Sequence, residues 1–427
     1  MNEVVAYSTL ALTVGAAVAR PRLGASWRIG PATAAGAGVL ALLLFGVVEA
    51  PDILASLHLH WRPFITIICT MITAAAAEHL GVLERISERI FSQPDVRPSR
   101  LFGQVFFLSA ITSSLLNNDA MVILLTPLVL SLVRKRYPGH AKLLAPFAFA
   151  VFAAVGVAPF VISNPMNMIV AQYAHLNFNQ YASWMVPVTL AGWAVTYPIL
   201  YLLFSRDLAL VGRAPSPPFQ SFEPLSGPQR AMVGLLFGTI GAYAAVAFVD
   251  GPSIWIVAVA AAAAGVSLVL ARQHGGVDFR ELFLRTVAWD IFAFLLGIYV
   301  IAIGLRNAGL TARLAEIYTG AGIWTVGATA ALGSAVLNNH PMSLINLMAL
   351  EITPGAGRKE ILAGLIGGDL GPRLLPVGSL AGLLWIGACR RMGVEISLRR
   401  FVAVGLALTI PAMVASLFVL YLRGRLF

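Results

Sequence analysis

The sequence predicts an all-α polytopic membrane protein built from two inverted repeats. Of its 427 residues, 59% are hydrophobic and 11% are charged, whereas soluble domains carry roughly 25% charged residues. Long apolar runs recur from end to end, and no polar stretch is long enough for a large soluble domain. A pair of consecutive asparagines occurs in the middle of two such runs, which indicates the repeat.

The net charge of +10 does not by itself indicate nucleic-acid binding, because Arg and Lys collect in the cytoplasmic loops of membrane proteins. Cys69 and Cys389 lie in apolar runs and predict no disulfide framework. The first apolar run lacks a basic segment before it and is expected to be a retained helix. No phosphate-binding loop, metal-ligand spacing or nucleophile elbow occurs, so the sequence indicates neither an enzyme nor a cofactor.

The repeat is visible in matching residues. The stretch at 61–64 begins with Trp61 and ends with Phe64, and the stretch at 289–292 begins with Trp289 and ends with Phe292. Gly81 matches Gly309 at the same offset (289 − 61 = 309 − 81 = 228). Internal symmetry with interrupted helices at corresponding places is typical of secondary transporters. The predicted units are a first repeat over 1–205, a cytoplasmic connecting loop over 206–230 and a second repeat over 231–427.

Charge decides how often each half crosses the bilayer. The runs with the paired asparagines, 99–133 and 323–350, are too long for one crossing of about 20 residues and short for two. If each run enters and leaves on one side, most Arg and Lys fall on a single side, as the positive-inside rule requires. We therefore expect about ten transmembrane helices, two re-entrant hairpins and two interrupted helices, with both termini outside. The interruptions are expected at 163–167 and 376–379.

The paired asparagines predict a substrate site, because polar groups at membrane depth face a protein interior or a polar cavity. Half-helix N-termini offer free N–H groups to an oxygen-bearing solute. Amides both donate and accept, so a polyhydroxyl solute fits them better than a bare cation. The residues expected to line the site are Asn117, Asn118, Asn164, Asn167, Asn338, Asn339 and Ser379. The alternative is that they only cap broken helices, with Asn118 or Asp119, Asn164, Asn339 and Ser379 as the caps.

Four ionisable residues lie beside these stretches. Asp119 is expected to carry the coupling proton; the alternative is a permanently ionised helix cap. His340 occupies the matching place in the second half and is either a second proton-coupling group or structural. Asp369 and Arg373, spaced i and i+4 beside the second interruption, are expected to pair as a structural lock, with direct substrate contact by Arg373 as the alternative.

Three stretches resemble bacterial arsenical pump membrane proteins. The first runs from Ser113 to Ala120 and continues to Leu124-Leu125-Thr126-Pro127. The second is Ser334 to Asn339 with Pro341, and the third is Gly368 to Trp385, including Asp369-Leu370-Gly371-Pro372. The similarity covers essentially the whole chain. It departs from the family at His340, where an apolar residue is usual, and at Arg373, where Lys is common.

The resemblance implies export of arsenite and antimonite across the bacterial inner membrane, driven by the proton gradient and at times assisted by a peripheral arsenite-stimulated ATPase. It also implies an elevator-like motion within the lipid bilayer. Arsenous acid is neutral and carries three hydroxyls, which agrees with an amide-rich site. Three alternatives remain open: a sodium/proton antiporter, an anion symporter of the same superfamily, and a passive channel for neutral solutes.

Overall fold

The computed structural model describes residues 2–19, 21–23, 27–93, 96–116, 118–209, 224–248, 254–272 and 289–426. Within these residues the chain is helical almost throughout, which confirms the all-α expectation. The exception is a short antiparallel pairing of Arg22–Leu23 with Trp27–Arg28. The predicted connecting loop lies largely outside the described residues.

The first half contains nine helices within the described part of the chain. They are α1 (Asn2–Ala19), α2 (Pro31–Leu44), α3 (Ala50–His79), α4 (Val82–Phe91), α5 (Pro98–Leu115), α6 (Asn118–Arg136), α7 (Leu144–Ala154), α8 (Pro165–Tyr173) and α9 (Phe178–Ala209). A 3-10 turn, Val161–Ser163, precedes α8, and another, Ala141–Leu143, precedes α7.

The described part of the second half also contains nine helices. They are α10 (Gly227–Val246), α11 (Ile254–Arg272), α12 (Trp289–Asn307), α13 (Leu310–Tyr318), α14 (Ile323–Leu337), α15 (Asn339–Glu351), α16 (Arg358–Leu370), α17 (Leu380–Arg391) and α18 (Leu398–Leu426). Two 3-10 turns, Gly371–Arg373 and Pro376–Gly378, separate α16 from α17.

A sharp bend at a glycine joins a long helix to a short one in each half. The chain turns by 52° between α3 and α4 and by 76° between α12 and α13. Gly81 has φ +66° and Gly309 has φ +85°. A side chain at either position would be strained, because L-residues rarely adopt this left-handed conformation. The matched glycines of the sequence therefore mark the same local structure in both halves.

One charged stretch of the first half is helical: residues Val82–Phe91 form α4. This helix is strongly amphipathic: Val82, Leu83 and Phe91 are buried, whereas Arg85 and Glu88 form a 3.5 Å ion pair on the exposed side. The charged residues make the helical spacing of the apolar residues hard to see in the sequence. That spacing places the apolar residues on one face of the helix, and this face packs on the rest of the protein.

Three helices within the described ranges are long and apolar enough to cross a bilayer, namely α9, α11 and α18. Counting each bent pair as one span raises the number to five. Large apolar side chains are turned outward, including Leu12 at 73%, Leu202 at 68% and Phe237 at 58% exposure. A lipid environment covers such surfaces without cost. The count of about ten crossings stays a prediction.

Helices of the two halves pack on each other in a reciprocal pattern. Helix α2 packs on α12, and α11 packs on α3. The last helices, α9 and α18, lie against each other, with Ser416 Oγ donating a hydrogen bond of 3.3 Å to the Val188 carbonyl. Small residues allow the close approach: a Cβ on Gly297 would lie 2.5 Å from that of Ala35. These pairings form a frame around the shorter helices.

Candidate functional site

Both long apolar runs are broken at the paired asparagines. Helix α5 ends at Leu115 and α6 begins at Asn118, and α14 ends at Leu337 and α15 begins at Asn339. The two helices of each pair pack against each other. We call α5 with α6 hairpin one, and α14 with α15 hairpin two. Of the expected site residues, Asn117 and the side chain of Asp119 lie outside the described residues.

Each hairpin packs against a half-helix from the other half of the chain. Helix α8 follows the interruption of the first half and packs on α15 of hairpin two. Helix α17 follows the interruption of the second half and packs on α6 of hairpin one. Within each half the hairpin also packs on the preceding half-helix, α5 on α7 and α14 on α16. This exchange brings the two interruptions and the two hairpins into one assembly.

Two of the expected helix caps are confirmed. Asn164 has extended backbone angles, and its Oδ1 accepts a hydrogen bond of 3.1 Å from the N–H of Met166, the second residue of α8. Ser379 is also extended, and its Oγ accepts a hydrogen bond of 2.9 Å from the Gly382 N–H at the start of α17. Both side chains thereby satisfy one of the free N–H groups of a helix N-terminus.

The caps of the hairpin tips differ from the expectation. Asn338, not Asn339, is the cap of α15: its Oδ1 accepts a hydrogen bond of 3.3 Å from the His340 N–H. Asn338 has φ +81° and ψ +147°, a conformation that non-glycine residues rarely adopt. In hairpin one, Asn118 is already the first helical residue, so neither it nor Asp119 occupies the position before the helix.

Hydrogen bonds connect hairpin one to the second half of the chain through the first interruption. Ser163 Oγ donates a hydrogen bond of 2.6 Å to the Ser114 carbonyl in the last turn of α5. The next residue, Asn164, uses its Nδ2 to donate a hydrogen bond of 3.1 Å to Asp369 Oδ1 at the end of α16. All four residues are buried. The side chain of Asn164 therefore caps α8 and also contacts a carboxylate of the other half.

Arg373 provides further hydrogen bonds between the two halves of the chain. Its Nη2 donates hydrogen bonds of 2.7 Å to the Ala153 carbonyl and 2.8 Å to the Val155 carbonyl, and its Nη1 lies 3.5 Å from Thr196 Oγ1. The guanidinium thus stabilises the C-terminal end of α7, where carbonyls lack helical partners. The carboxylate of Asp369, one turn earlier, acts electrostatically on this cation. Direct pairing of Asp369 with Arg373 stays a prediction.

Several buried polar atoms of the expected site have no hydrogen-bond partner among the described residues. They are Asn118 Oδ1, Asn167 Oδ1, Asn339 Oδ1 and both ring nitrogens of His340. Asn167 uses only its Nδ2, which donates to the Phe160 carbonyl at 3.1 Å. A buried polar atom without a partner costs about 1–3 kcal/mol. These atoms lie at the tips of the hairpins and in α8 beside the first interruption.

The structure adds buried polar residues that were not among those expected to line the site. Ser334 on α14 and Ser343 and Asn346 on α15 are buried, and Asn346 Oδ1 accepts a hydrogen bond of 2.5 Å from Tyr318 Oη at the end of α13. Ser343 and Asn346 follow His340 at intervals of three residues, so one side of an otherwise apolar helix is polar. That spacing is the signal from which they could have been found.

Comparison with known proteins identifies the family. The family model described as "Arsenical pump membrane protein" (ArsB) matches residues 10–423. An arsenical pump membrane protein of Escherichia coli is 29% identical over 96% of this chain and 97% of its own length. One of Yersinia enterocolitica is 29% identical over 98% of this chain and 99% of its own length.

Two solved transporters share the fold at low sequence identity. The YdaH transporter of Alcanivorax borkumensis has a TM-score of 0.56 and 15% identity, over 99% of this chain and 97% of that one. MtrF of Neisseria gonorrhoeae has a TM-score of 0.55 and 13% identity, over 98% of this chain and 94% of that one. The chain thus shares its fold with these two proteins, and the family match covers nearly the whole sequence. The chain belongs to the arsenical pump membrane protein family and is a membrane transporter.

Proposed function

We propose that this transporter exports arsenite and antimonite from the bacterial cytoplasm, as neutral trihydroxides and in exchange for protons. Family membership supports the substrate class. The observation that carries the proposal is the group of buried, unpartnered polar atoms on Asn118, Asn167, Asn339 and His340. A solute with three hydroxyl groups can donate to each amide oxygen and still accept from neighbouring N–H groups. The substrate-binding set is Asn117, Asn118, Asn164, Asn167, Asn338, Asn339 and Ser379.

The charge and thiol content of the site suit a neutral, weakly held solute. Asp369 and Arg373 already hydrogen-bond to protein groups, so neither is reserved for a charged substrate. Cys69 and Cys389 are buried, and two thiols cannot supply the three thiolates that would hold a trivalent arsenical tightly. Recognition by hydrogen bonds alone favours release, which an exporter requires.

Proton coupling is assigned to Asp119 and His340, which occupy the first turns of α6 and α15. The ring of His340 is 2% exposed, and a proton on it would charge a buried group. Such a charge is tolerated only while water surrounds it, that is, while the substrate is absent. Proton binding and substrate binding at the tip of hairpin two then exclude each other, as exchange demands.

Two inverted repeats, 1–205 and 231–427, are the architecture that best explains the packing. The pairs α2–α12 and α11–α3 are the same pair with the halves exchanged, as are α8–α15 and α17–α6. The matched aromatic residues Phe64 and Phe292 lie edge to face at 6.1 Å. With five crossings in each half, as the distribution of Arg and Lys predicts, the two halves are inverted copies, and the chain has about ten crossings, two re-entrant hairpins and external termini.

The proposal includes an elevator-like movement, which the same arrangement supports. The hairpins and interrupted helices, α5–α8 and α14–α17, form the part that carries the solute. The long helices around them, among them α2, α3, α11 and α12, form the frame against which that part slides. A peripheral ATPase on the cytoplasmic side is compatible with this scheme and is suggested by the family resemblance.

Resistance of cells that lack their own exporter tests the proposal. Wild-type protein is expected to restore growth on arsenite, and Asn338→Ala to abolish it while the protein remains in the membrane. Asn179→Ala is the matched control, because Asn179 Nδ2 bonds the Ala244 carbonyl at 2.9 Å away from the hairpins. Equal resistance in the Asn338 and Asn179 variants would overturn the site assignment.

A further inference from the structure

The 3-10 turns that precede α8 and α17 end at equivalent positions of the two halves. Ser163 ends the turn Val161–Ser163 and comes directly before the cap of α8, and Gly378 ends the turn Pro376–Gly378 and comes directly before the cap of α17. Each turn packs on the first helix of the hairpin in its own half, α5 or α14. The two residues therefore have the same place in the structure, although one carries a hydroxyl group and the other has no side chain.

Ser163 contacts hairpin one through a hydrogen bond. Its Oγ donates a hydrogen bond of 2.6 Å to the carbonyl of Ser114, the last residue but one of α5. Carbonyls in the last turn of a helix lack the N–H partner that a continuing helix would supply, so this hydroxyl satisfies one of them. Ser163 is 0% and Ser114 is 4% exposed. The bond therefore lies inside the protein, where a hydrogen bond is stronger than in water.

Gly378 contacts hairpin two through its backbone. A Cβ added to Gly378 would lie 2.7 Å from Pro372 Cα and 3.0 Å from the carbonyl oxygen of Ser334, in the last turn of α14. That carbonyl already accepts a hydrogen bond of 3.1 Å from the Asn338 N–H. It needs no donor from the turn, and the absence of a side chain allows the two backbones to touch. The two equivalent positions thus require different residues.

The bond between Ser163 and Ser114 lies close to two members of the proposed substrate-binding set. Asn118 follows Ser114 by four residues, and Asn167 follows Ser163 by four residues. The amide oxygens of Asn118 and Asn167 are buried and have no hydrogen-bond partner within the described part of the chain. One hydrogen bond therefore joins the two chain segments that carry these amides and fixes one segment relative to the other.

We propose that Ser163 and Gly378 are positioning residues, each of which holds the tip of the hairpin in its own half against the neighbouring interruption. Neither residue has to touch the solute. Without the Ser163 hydroxyl, the tip of hairpin one can shift away from α8, and a solute that binds Asn118 and Asn167 must first bring them together. Binding is then weaker, whereas the later movement of the bound solute is unchanged. This effect on affinity rests on the proposed function, whereas the order of the tips does not.

Deuterium uptake by the full chain in lipid nanodiscs measures the order of each tip without any substrate. Ser163→Ala is expected to speed uptake in the peptide 114–121 by about three- to tenfold, the effect of one hydrogen bond, and to leave the peptide 334–341 unchanged. Ser109→Ala is the matched control, because Ser109 lies on α5, is also 0% exposed and has no hydrogen-bond partner among the described residues. Unchanged uptake at 114–121 in Ser163→Ala, or the same rise in both serine variants, would overturn the role of Ser163.

A pair of glycine substitutions tests the second half. Gly378→Ala is expected to speed deuterium uptake in the peptide 334–341 and to leave 114–121 unchanged, because the added methyl group pushes the turn away from α14. Gly387→Ala is the control, since a Cβ there meets only the Arg391 side chain among the described residues, at 3.8 Å. Equal uptake in the two glycine variants would overturn the role of Gly378. If Gly378→Ala does not fold, the comparison of Ser163→Ala with Ser109→Ala still decides whether a turn positions its hairpin.

Transport kinetics distinguish positioning from a merely structural role. In arsenite–arsenite exchange, Ser163→Ala is expected to raise the half-saturating arsenite concentration about three- to tenfold and to keep the maximal rate within about twofold of the wild type. A lower maximal rate with an unchanged half-saturating concentration would contradict positioning of the site. If the wild type moves no arsenite, the proposed function is wrong, and deuterium uptake at the two tips still tests the positioning.

Discussion

Asn164 Nδ2 donates a hydrogen bond of 3.1 Å to Asp369 Oδ1, although the two residues lie 205 positions apart in the sequence. Asn164 is 4% and Asp369 8% exposed, so the bond is inside the protein. The same Asn164 side chain caps α8 through its Oδ1. One amide therefore fixes the start of a half-helix of the first half and holds a carboxylate of the second, which couples the two interruptions mechanically.

We expect Asn164→Ala to destabilise the protein by about 2–3 kcal/mol, because a buried carboxylate loses a donor and α8 loses its cap. Asp369→Asn should be milder, since an amide oxygen still accepts from Asn164. A double-mutant cycle of the two, followed by unfolding in detergent, is expected to show a coupling of about 1 kcal/mol or more. Additive effects would mean that the two side chains do not share this bond.

The C-terminal end of α7 should depend on the shape of the Arg373 side chain. Arg373→Met removes donors from the Ala153 and Val155 carbonyls and leaves them buried, which costs roughly 3–5 kcal/mol. Arg373→Lys should recover only part of this loss, because one ammonium cannot reproduce the fork of a guanidinium.

Arg313→Met serves as the control for Arg373. Arg313 pairs with Glu3 at 2.9 Å, with side chains 61% and 50% exposed. Its loss should cost less than about 1 kcal/mol, because exposed ion pairs contribute little. Unfolding temperatures of the three variants in one detergent provide the measurement. A Lys variant as stable as the wild type would refute the fork.

The backbone at the tip of hairpin two makes Asn338 unusual. With φ +81° and ψ +147°, a side chain there is strained by about 1–3 kcal/mol, and glycine removes that strain. Asn338→Gly is therefore expected to melt at or above the wild-type temperature and yet lose arsenite resistance, because the amide is gone. Asn338→Ala should lose both thermal stability and arsenite resistance. Full resistance in the Gly variant would show that the amide is a cap alone.

Substitution of Asp119 or of His340 is expected to change the pH dependence of transport. If each carries a coupling proton, Asp119→Asn and His340→Gln should flatten the dependence of arsenite uptake on external pH while preserving arsenite–arsenite exchange. His140→Gln is the control, since His140 precedes the turn before α7, away from the hairpins. Uptake by reconstituted protein at several pH values is the measurement. A wild-type pH profile in either site variant would remove that residue from the coupling.

Local signals in the sequence predicted much of this site. Asn164 precedes a proline and Ser379 follows a Pro-Val-Gly break, and both side chains can accept a hydrogen bond from an N–H of the first helical turn. Each of these residues therefore predicts the start of a helix. The breaks at the paired asparagines follow from the cost of amides in an apolar run. These inferences need no knowledge of distant contacts, and the helix starts that they place are those of α6, α8, α15 and α17.

Other features depend on contacts between distant parts of the chain and could not be predicted from the sequence. Asn338 rather than Asn339 caps α15 because the chain turns at Asn338 with a positive φ. No residue pattern in the sequence predicts that angle. Arg373 has its carbonyl partners about 220 residues earlier in the chain, at positions that contribute only backbone atoms. A side chain at Gly368 would come within 2.8 Å of Ser343 Oγ on another helix, a contact that only the folded chain reveals.

Uptake of arsenite into everted vesicles that contain only this transporter tests the central claim most directly. With an imposed proton gradient, acid inside, the wild type should accumulate arsenite above the external concentration. Dissipating the gradient, or substituting Asn117 or Asn338 by Ala, should abolish accumulation. Arsenite that merely equilibrates, or that accumulates unchanged in both asparagine variants, would contradict a proton-driven site at the two hairpin tips.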